Sequence, residues 1–160
     1  NILNKEAKGS ILVAMDDDDY YTPKRVSHVV NKLLANPKIQ VAGCTEIYLY
    51  FTDTKTIYKC GPYAQNHATN GTMAWRKEYS NKHLYDETVA FAEEKSFLKN
   101  YSTPLLQLDP LQVMLVMSHS DNTFSKKNMR DDNNPFVKAT SMKLSHFIRN
   151  STLRTFYESA

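Results

Sequence analysis

Four consecutive aspartates, Asp16, Asp17, Asp18 and Asp19, stand directly behind the apolar run Ile11-Leu12-Val13-Ala14-Met15 and directly ahead of Tyr20-Tyr21. Two unit charges ~4 Å apart repel by about 1 kcal/mol in water, and by about 4 kcal/mol at the effective dielectric found near a protein surface. A chain that places such a run at the rim of its core must compensate for it, either with bulk water or with a bound cation. The apolar run reads as a buried strand, bounded by a turn signal at Gly9 and by charge behind. The aspartates therefore fall at the carboxyl end of a strand, the edge where ligands collect in open α/β sheets.

Carboxylate oxygens are hard ligands suited to Mg²⁺, Mn²⁺ or Ca²⁺. An EF-hand loop counted from Asp16 would need Gly at its sixth position and Glu at its twelfth, where Tyr21 and Ser27 stand. An Asp-x-Asp-x-Thr phosphatase motif would need Thr or Val in place of Tyr20. What remains is a strand-end Asp-x-Asp holding a divalent cation against a diphosphate, or a solvated acidic turn. Four aspartates directly behind a buried strand favour the cation.

The rest of the chain reads as one α/β domain over residues 1–160, and its 41% hydrophobic content is enough for a core. Residues 1–8 are expected to end a helix, with Gly9 as its C′ residue. Thr22 as N-cap and Pro23 as first residue open a second helix. Its apolar stripe is Val26, Val29, Val30, Leu33 and Leu34, and Asn36-Pro37 ends it. Strands are expected over 39–51 and 56–60, with Ile47, Leu49 and Phe51 on one face and Tyr48 and Tyr50 on the other. Asn70-Gly71 marks a turn, 72–76 an extended segment, and 105–108 and 111–117 inner strands. A helix is expected near 91–101, a mobile loop over 118–134, and a C-terminal helical segment over 135–160 from Pro135 onward. Cys44 and Cys60, on neighbouring strands, are expected as reduced thiols. The net charge of +3 without a basic block gives no argument for nucleic acid. No apolar run is long enough for a membrane span, and a cytoplasmic location is expected. The first residue is Asn rather than Met, so a fragment is expected.

Glu94 shares a helix face with Phe97, Leu98 and Tyr101 at i+3, i+4 and i+7, which turns it inward. A partly buried carboxylate has a raised pKa and can accept a proton near neutral pH. Glu93 better fits a helix-start carboxylate that complements the dipole. His119 follows a buried strand and could complete a metal shell, contact a phosphate, or stand at the surface. Trp75 is either a sugar-stacking platform or core. His28, His67, His83 and His146 read as structural.

The order of these features resembles family 2-type inverting glycosyltransferases of the GT-A fold, in particular small members from large DNA viruses and protists. The matching elements are Asn4 to Gly9, the strand running into Asp16-Asp17-Asp18-Asp19, and the Pro23-led helix. They continue with Gly71-Thr72-Met73-Ala74-Trp75-Arg76, Tyr85-Asp86-Glu87 and the acidic pair Glu93-Glu94. The resemblance spans about 1–122. It implies a nucleotide-diphospho-sugar transferase fold, Rossmann-like, with a mixed sheet flanked by helices. It also implies that the βα units holding the nucleotide base lie upstream of Asn1, so that this chain by itself would hold about half of the donor pocket.

The resemblance further implies a UDP- or GDP-sugar donor, Mn²⁺ or Mg²⁺ as cofactor, and a glycan, protein or small-molecule acceptor. Asp18, Asp16 and His119 are the candidate metal ligands. Asp16, Asp17, Trp75 and Arg76 are the candidate donor contacts, although strand alternation turns Asp17 away. Asp19 is left between supporting the site and capping the helix. Glu94 or Glu93 is the candidate base, with Glu in place of the family's usual Asp as second acid. The Gln-x-x-Arg-Trp motif of processive members is missing. Two other readings are a sugar-phosphate nucleotidyltransferase and a non-catalytic binding module on the same fold.

Overall fold

A computed structural model describes residues 1–89, 92–119, 129–130 and 134–159. Nine strands fall into two sheets, among the described residues. The first runs β1 (Ile11–Val13), β6 (Ala74–Arg76), β3 (Val41–Gly43), β7 (Leu105–Gln107). The second runs β2 (Tyr20–Tyr21), β8 (Met114–Ser118), β4 (Ile47–Phe51), β5 (Thr56–Cys60), β9 (Val137–Ala139). β3 pairs with β7 and β4 with β8 in parallel, and every other pairing is antiparallel. This is the mixed α/β architecture expected of a GT-A-like fold.

The sequence reads as one strand over 39–51, yet the chain leaves one sheet after Gly43 and enters the other at Ile47. The backbone donors in between are satisfied by side chains. Cys44 N donates to Thr72 Oγ1 at 2.9 Å and Thr45 N to Gln107 Oε1 at 2.9 Å. A buried amide must find some partner, and these two side chains let the strand switch sheets without leaving one unpaired. The partner segment breaks at the same level, where Asp109 caps a 3₁₀ turn at Pro110–Gln112.

Period-two alternation sorts the side chains as expected. Ile47, Leu49 and Phe51 join the central core with Val29 and Leu33, while Tyr50, with Tyr48 packed beside it, joins a second cluster with Leu115, Phe147 and Ile148. A third cluster holds Trp75, Tyr79, Phe97 and Leu98, with Leu12 of β1 packed on it. Both cysteines are buried and free. Burial raises their pKa values to about 12 for Cys44 and about 11 for Cys60, which keeps them protonated and unreactive. No helix among the described residues is long and apolar enough to cross a membrane.

Several expected boundaries move. The first helix, α1, covers only Ile2–Glu6, because Ala7 is already extended. Lys77 Nζ donates to the Asn4 and Lys5 carbonyls and takes over the terminal capping expected of Gly9. The second, α2, covers Arg25–Ala35, with Lys24 rather than Thr22 at its N-cap. The Thr22 hydroxyl is instead spent on the Gln112 carbonyl at 2.6 Å. Its inward stripe is Arg25, Val29 and Leu33, whereas Val26 and Leu34 are 52% and 62% exposed.

The one-turn helix α3 (Lys77–Ser80) follows β6. The helix expected near 91–101 is a single turn, α4 (Glu94–Phe97); its expected start at Phe91 lies outside the described residues. The chain turns left-handed at Lys99, Asn100 and Tyr101, and the Phe97 carbonyl is capped by the Tyr79 hydroxyl at 2.6 Å. The loop expected over 118–134 also lies largely outside the described residues. Beyond it, the expected helix from Pro135 is replaced by β9, which covers the outer edge of β5 through the pair Val137↔Cys60. A 3₁₀ turn at Leu144–His146 and α5 (Ser151–Ser159) complete the chain.

Thr72→Val keeps the side-chain volume but strips the partner from a buried Cys44 amide. Urea denaturation should show a loss of about 1–3 kcal/mol, while Thr155→Val on the exposed face of α5 should stay within about 0.5 kcal/mol.

Candidate functional site

β1 delivers its last residues to the carboxyl edge of the first sheet, and three contacts fix where the acidic turn begins. Asp16 N donates to the Tyr21 hydroxyl at 2.8 Å, and that hydroxyl donates to the Gly71 carbonyl at 3.2 Å. The Asp16 carboxylate packs so closely on Gly71 that a Cβ there would stand 2.5 Å from Oδ2. Glycine is needed at Gly71 for this close approach, not for an unusual backbone angle.

Beneath this point lies Arg25, which is 1% exposed. Its Nη2 donates to the carbonyls of Met73 at 2.7 Å, Ala14 at 3.0 Å and Gly71 at 3.4 Å, while Nε and Nη1 have no hydrogen-bond partner among the described residues. The end of β1 is thereby tied to the segment entering β6. Burial lowers the Arg25 pKa, opposed by Tyr21, Cys44 and Asp16. Arg25 and Tyr21 are absent from the expected site. The legible signal for Arg25 is an arginine in register with Val29 and Leu33 at i+4 and i+8, a cation on an apolar stripe.

The four aspartates have different surroundings. Asp16, Asp17 and Asp18 are exposed, the last two at the tip of the turn. Asp19 is half-buried, and its Oδ1 accepts from Met117 N at 2.7 Å. Asp19 therefore supports the turn from β8 and does not cap α2. His119 stands two residues past Met117, half-buried at the same end of β8. Among the described residues no three His, Cys, Asp or Glu side chains converge as a metal shell.

Trp75 is 5% exposed and packs edge-on against Phe97, with ring centroids 5.0 Å apart. It is largely buried in the third cluster. It still lines a cavity of about 720 Å³ together with Asp16, Asn70, Tyr85 and Glu87. Arg76, the other expected donor contact of this segment, is held by carbonyls. Its Nη2 donates to the Leu33 carbonyl at 2.7 Å and its Nε to the Ile39 carbonyl at 3.2 Å. It closes the carboxyl end of α2, and the register Ile11↔Arg76 puts it at the opposite end of β1 from the aspartates.

Glu93 and Glu94 open α4, Glu93 at its N-cap position and Glu94 as its first residue. Glu94 is half-buried, and the Tyr101 hydroxyl donates to its Oε1 at 3.4 Å. Burial raises the Glu94 pKa above the ordinary value and the charge of Glu93 raises it further, while a hydrogen bond from its own backbone and, less strongly, the Tyr101 hydrogen bond oppose both. Tyr85 is stacked on Phe97 with centroids 4.3 Å apart and donates to Asn70 Oδ1 at 2.8 Å. Burial pushes its phenol well above the usual range, helped by the charges of Glu93, Glu94 and Asp16. Residues nearly eighty positions apart in sequence thus act on one hydroxyl. Asn1 ties α1 to the same element, donating to the Tyr85 carbonyl at 2.9 Å and to Glu87 Oε1 at 2.8 Å.

The acidic turn at the end of β1 and the acidic pair that opens α4 both bear electrostatically on Tyr85. The family model for glycosyl transferase family 2 matches residues 1–99, and the chain belongs to that family. No curated protein matches it. The matched span contains the acidic turn, Arg25, Gly71 and both glutamates, and it establishes a function of the glycosyltransferase type.

Arg25→Met should lower the unfolding free energy by about 3 kcal/mol, since several carbonyls lose a charged donor. Arg25→Lys should recover part of the loss in the same urea titration.

Proposed function

We propose that the protein transfers a hexosyl group from a UDP- or GDP-sugar to an acceptor hydroxyl with inversion. The observation that carries this reading is that Asp16 of the acidic turn lines one cavity with Tyr85 and Glu87 in a chain of this family. Glu94 is the base and Glu93 a neighbour that keeps its pKa up. The acceptor oxygen forms a bond to the anomeric carbon as the bond from that carbon to the diphosphate oxygen breaks. The acceptor proton goes to Glu94, and the bonding pair leaves with the nucleoside diphosphate.

Asp18 and Asp16 would hold Mn²⁺ or Mg²⁺. The donor set fits, because both are exposed carboxylates and such ions are commonly held by one or two carboxylates with substrate phosphates completing the shell. When bound, the ion would supply positive charge against the leaving diphosphate. His119 is a further contact for metal or phosphate at the same edge. Asp17 and the cavity lined by Trp75 belong to the donor side of this reading. Arg76 has no part in it.

Mn²⁺-dependent hydrolysis across a panel of nucleotide sugars tests the assignment. Asp18→Asn should lower it at least about a hundredfold, and unchanged hydrolysis would remove Asp18 from the metal. Glu94→Gln should lower transfer by about 10²–10⁴-fold; unchanged transfer would remove it as base, and Glu93→Gln is the matching control. A wild-type protein that binds the nucleotide but neither hydrolyses nor transfers would instead be a binding module.

The pH dependence carries a sign. Tyr101 lowers the Glu94 pKa, so Tyr101→Phe should raise it and move the acid limb of the transfer rate to higher pH. An acid limb that stays in place or moves down would mean that another group is the base. Gly71→Ala should push the Asp16 carboxylate aside and crowd the Tyr21 hydroxyl and Met114 Cε, and lower activity with a smaller effect on melting temperature, because all three contacts are side-chain ends.

A further inference from the structure

The charge of the chain is unevenly spread. Residues 133–157 hold Lys138, Lys143, Arg149 and Arg154 with no aspartate or glutamate, so the rest is net negative although the whole carries +3. Part of this segment borders a cavity of about 500 Å³, set between the start of α5, the 3₁₀ turn at Pro110–Gln112 and the approach to α2. Phe147 and Ile148 form buried, apolar lining. The exposed lining carries two cations, Lys24 and Arg149, and two leucines from separate segments, Leu111 at 45% and Leu153 at 39% exposure. No carboxylate lines the cavity among the described residues. Asp109, two residues before Leu111, is spent on the 3₁₀ turn, where its oxygens accept from Leu111 N at 3.0 Å and Gln112 Nε2 at 2.8 Å.

The segment that presents Arg149 is fixed from both sides. Arg154 Nη1 donates to the Ile148 carbonyl at 2.9 Å and the Arg149 carbonyl at 2.7 Å. The Tyr20 hydroxyl donates to the Phe147 carbonyl at 3.2 Å, and Asn150 Oδ1 accepts from Leu153 N at 2.9 Å. Cation and leucine are thus placed at one cavity before any partner arrives, which lowers the cost of ordering them on binding.

We propose that this face docks the protein on the surface of an anionic lipid bilayer, with lipid phosphates on Lys24 and Arg149 and the side chains of Leu111 and Leu153 entering the boundary between headgroups and acyl chains. Docking here is independent of the transferase reading. The mixture of groups selects the partner. An anionic bilayer offers negative charge to juxtaposed lysine and arginine and, just beneath, an apolar layer into which exposed aliphatic groups can sink. Nucleic acid would call for a basic groove with exposed aromatic rings to stack on bases, and the exposed apolar groups of this face are leucines.

Co-sedimentation with vesicles of phosphatidylcholine, alone or mixed with phosphatidylglycerol, tests the docking face. The protein should sediment with the mixed vesicles, partition at least about tenfold less onto phosphatidylcholine alone, and come off as salt rises. Lys24→Gln and Arg149→Gln should each weaken partitioning about fivefold, and Leu153→Gln about tenfold. The two charge variants sit on different elements, so a loss of fold in one leaves the other as the test. Lys138→Gln removes a charge that does not line the cavity and should change partitioning by less than about twofold. Failure to sediment with the mixed vesicles would overturn the proposal. So would equal losses in Lys138→Gln, Lys24→Gln and Arg149→Gln, because net charge rather than this face would then be responsible. Binding to single-stranded RNA without binding to vesicles would assign the cations to nucleic acid and overturn it as well.

Discussion

A single guanidinium sets where the site begins. Arg25 collects the carbonyls of Ala14, Gly71 and Met73, which belong to chain segments nearly sixty residues apart. The Met73 carbonyl also accepts from Ala14 N at 3.0 Å, the last backbone bond at this end of β1, and Arg25 adds a side-chain donor beyond it. With it, β1 stops at a defined point, Gly71 sits under Asp16, and the acidic turn projects from a rigid edge. The charge of Arg25 also acts on Asp16, the first carboxylate of the acidic run. A buried charge is tolerable only when hydrogen-bonded, and here the hydrogen bonds are also what shape the site.

The same economy runs through the sheet breaks. The chain switches sheets at Cys44–Glu46, where Thr72 and Gln107 supply the hydrogen bonds a ladder would have supplied. Thr72 is the residue after Gly71, and Gln107 also holds the loop that carries Tyr63 and His67, which line a cavity of about 300 Å³ with Asp16 and Gly71. The devices that let one long strand serve two sheets therefore also position both sides of the Asp16 cavity. Site and fold share parts, which is why a change at Thr72 or Gln107 reaches both.

The sequence was most readable where a period repeats. The alternation of Ile47, Leu49 and Phe51 against Tyr48 and Tyr50, the stripe through Val29 and Leu33, and the strand before Asp16 all carry a clear periodic signal. The inward turn of Glu94 was readable too, although its helix is one turn long and Tyr101 reaches it from a left-handed segment. What escaped was what long-range partners decide. Thr22 looks like a cap until Gln112 takes its hydroxyl, and nothing in the local pattern shows that the guanidinium of Arg76 reaches the end of α2 or that Trp75 packs on Phe97. Arg25 was hidden for the converse reason, since a cation beside an apolar stripe reads as solvated unless carbonyls wait beneath it. The segment after Pro135 has helical spacing, but the open edge of β5 draws Val137 into a strand.

The central claim, that the turn clasped by Arg25 is where cation and nucleotide diphosphate meet, is tested most directly by Mn²⁺-induced paramagnetic broadening of the amide NMR spectrum. The titration is made with and without UDP, and again with GDP. The account predicts nucleotide-dependent broadening centred on Asp16, Asp17, Asp18 and Gly71, with Arg76 and the carboxyl end of α2 left sharp. Broadening that ignores the nucleotide, or that centres on other carboxylates such as Glu46 or Asp109, would contradict it.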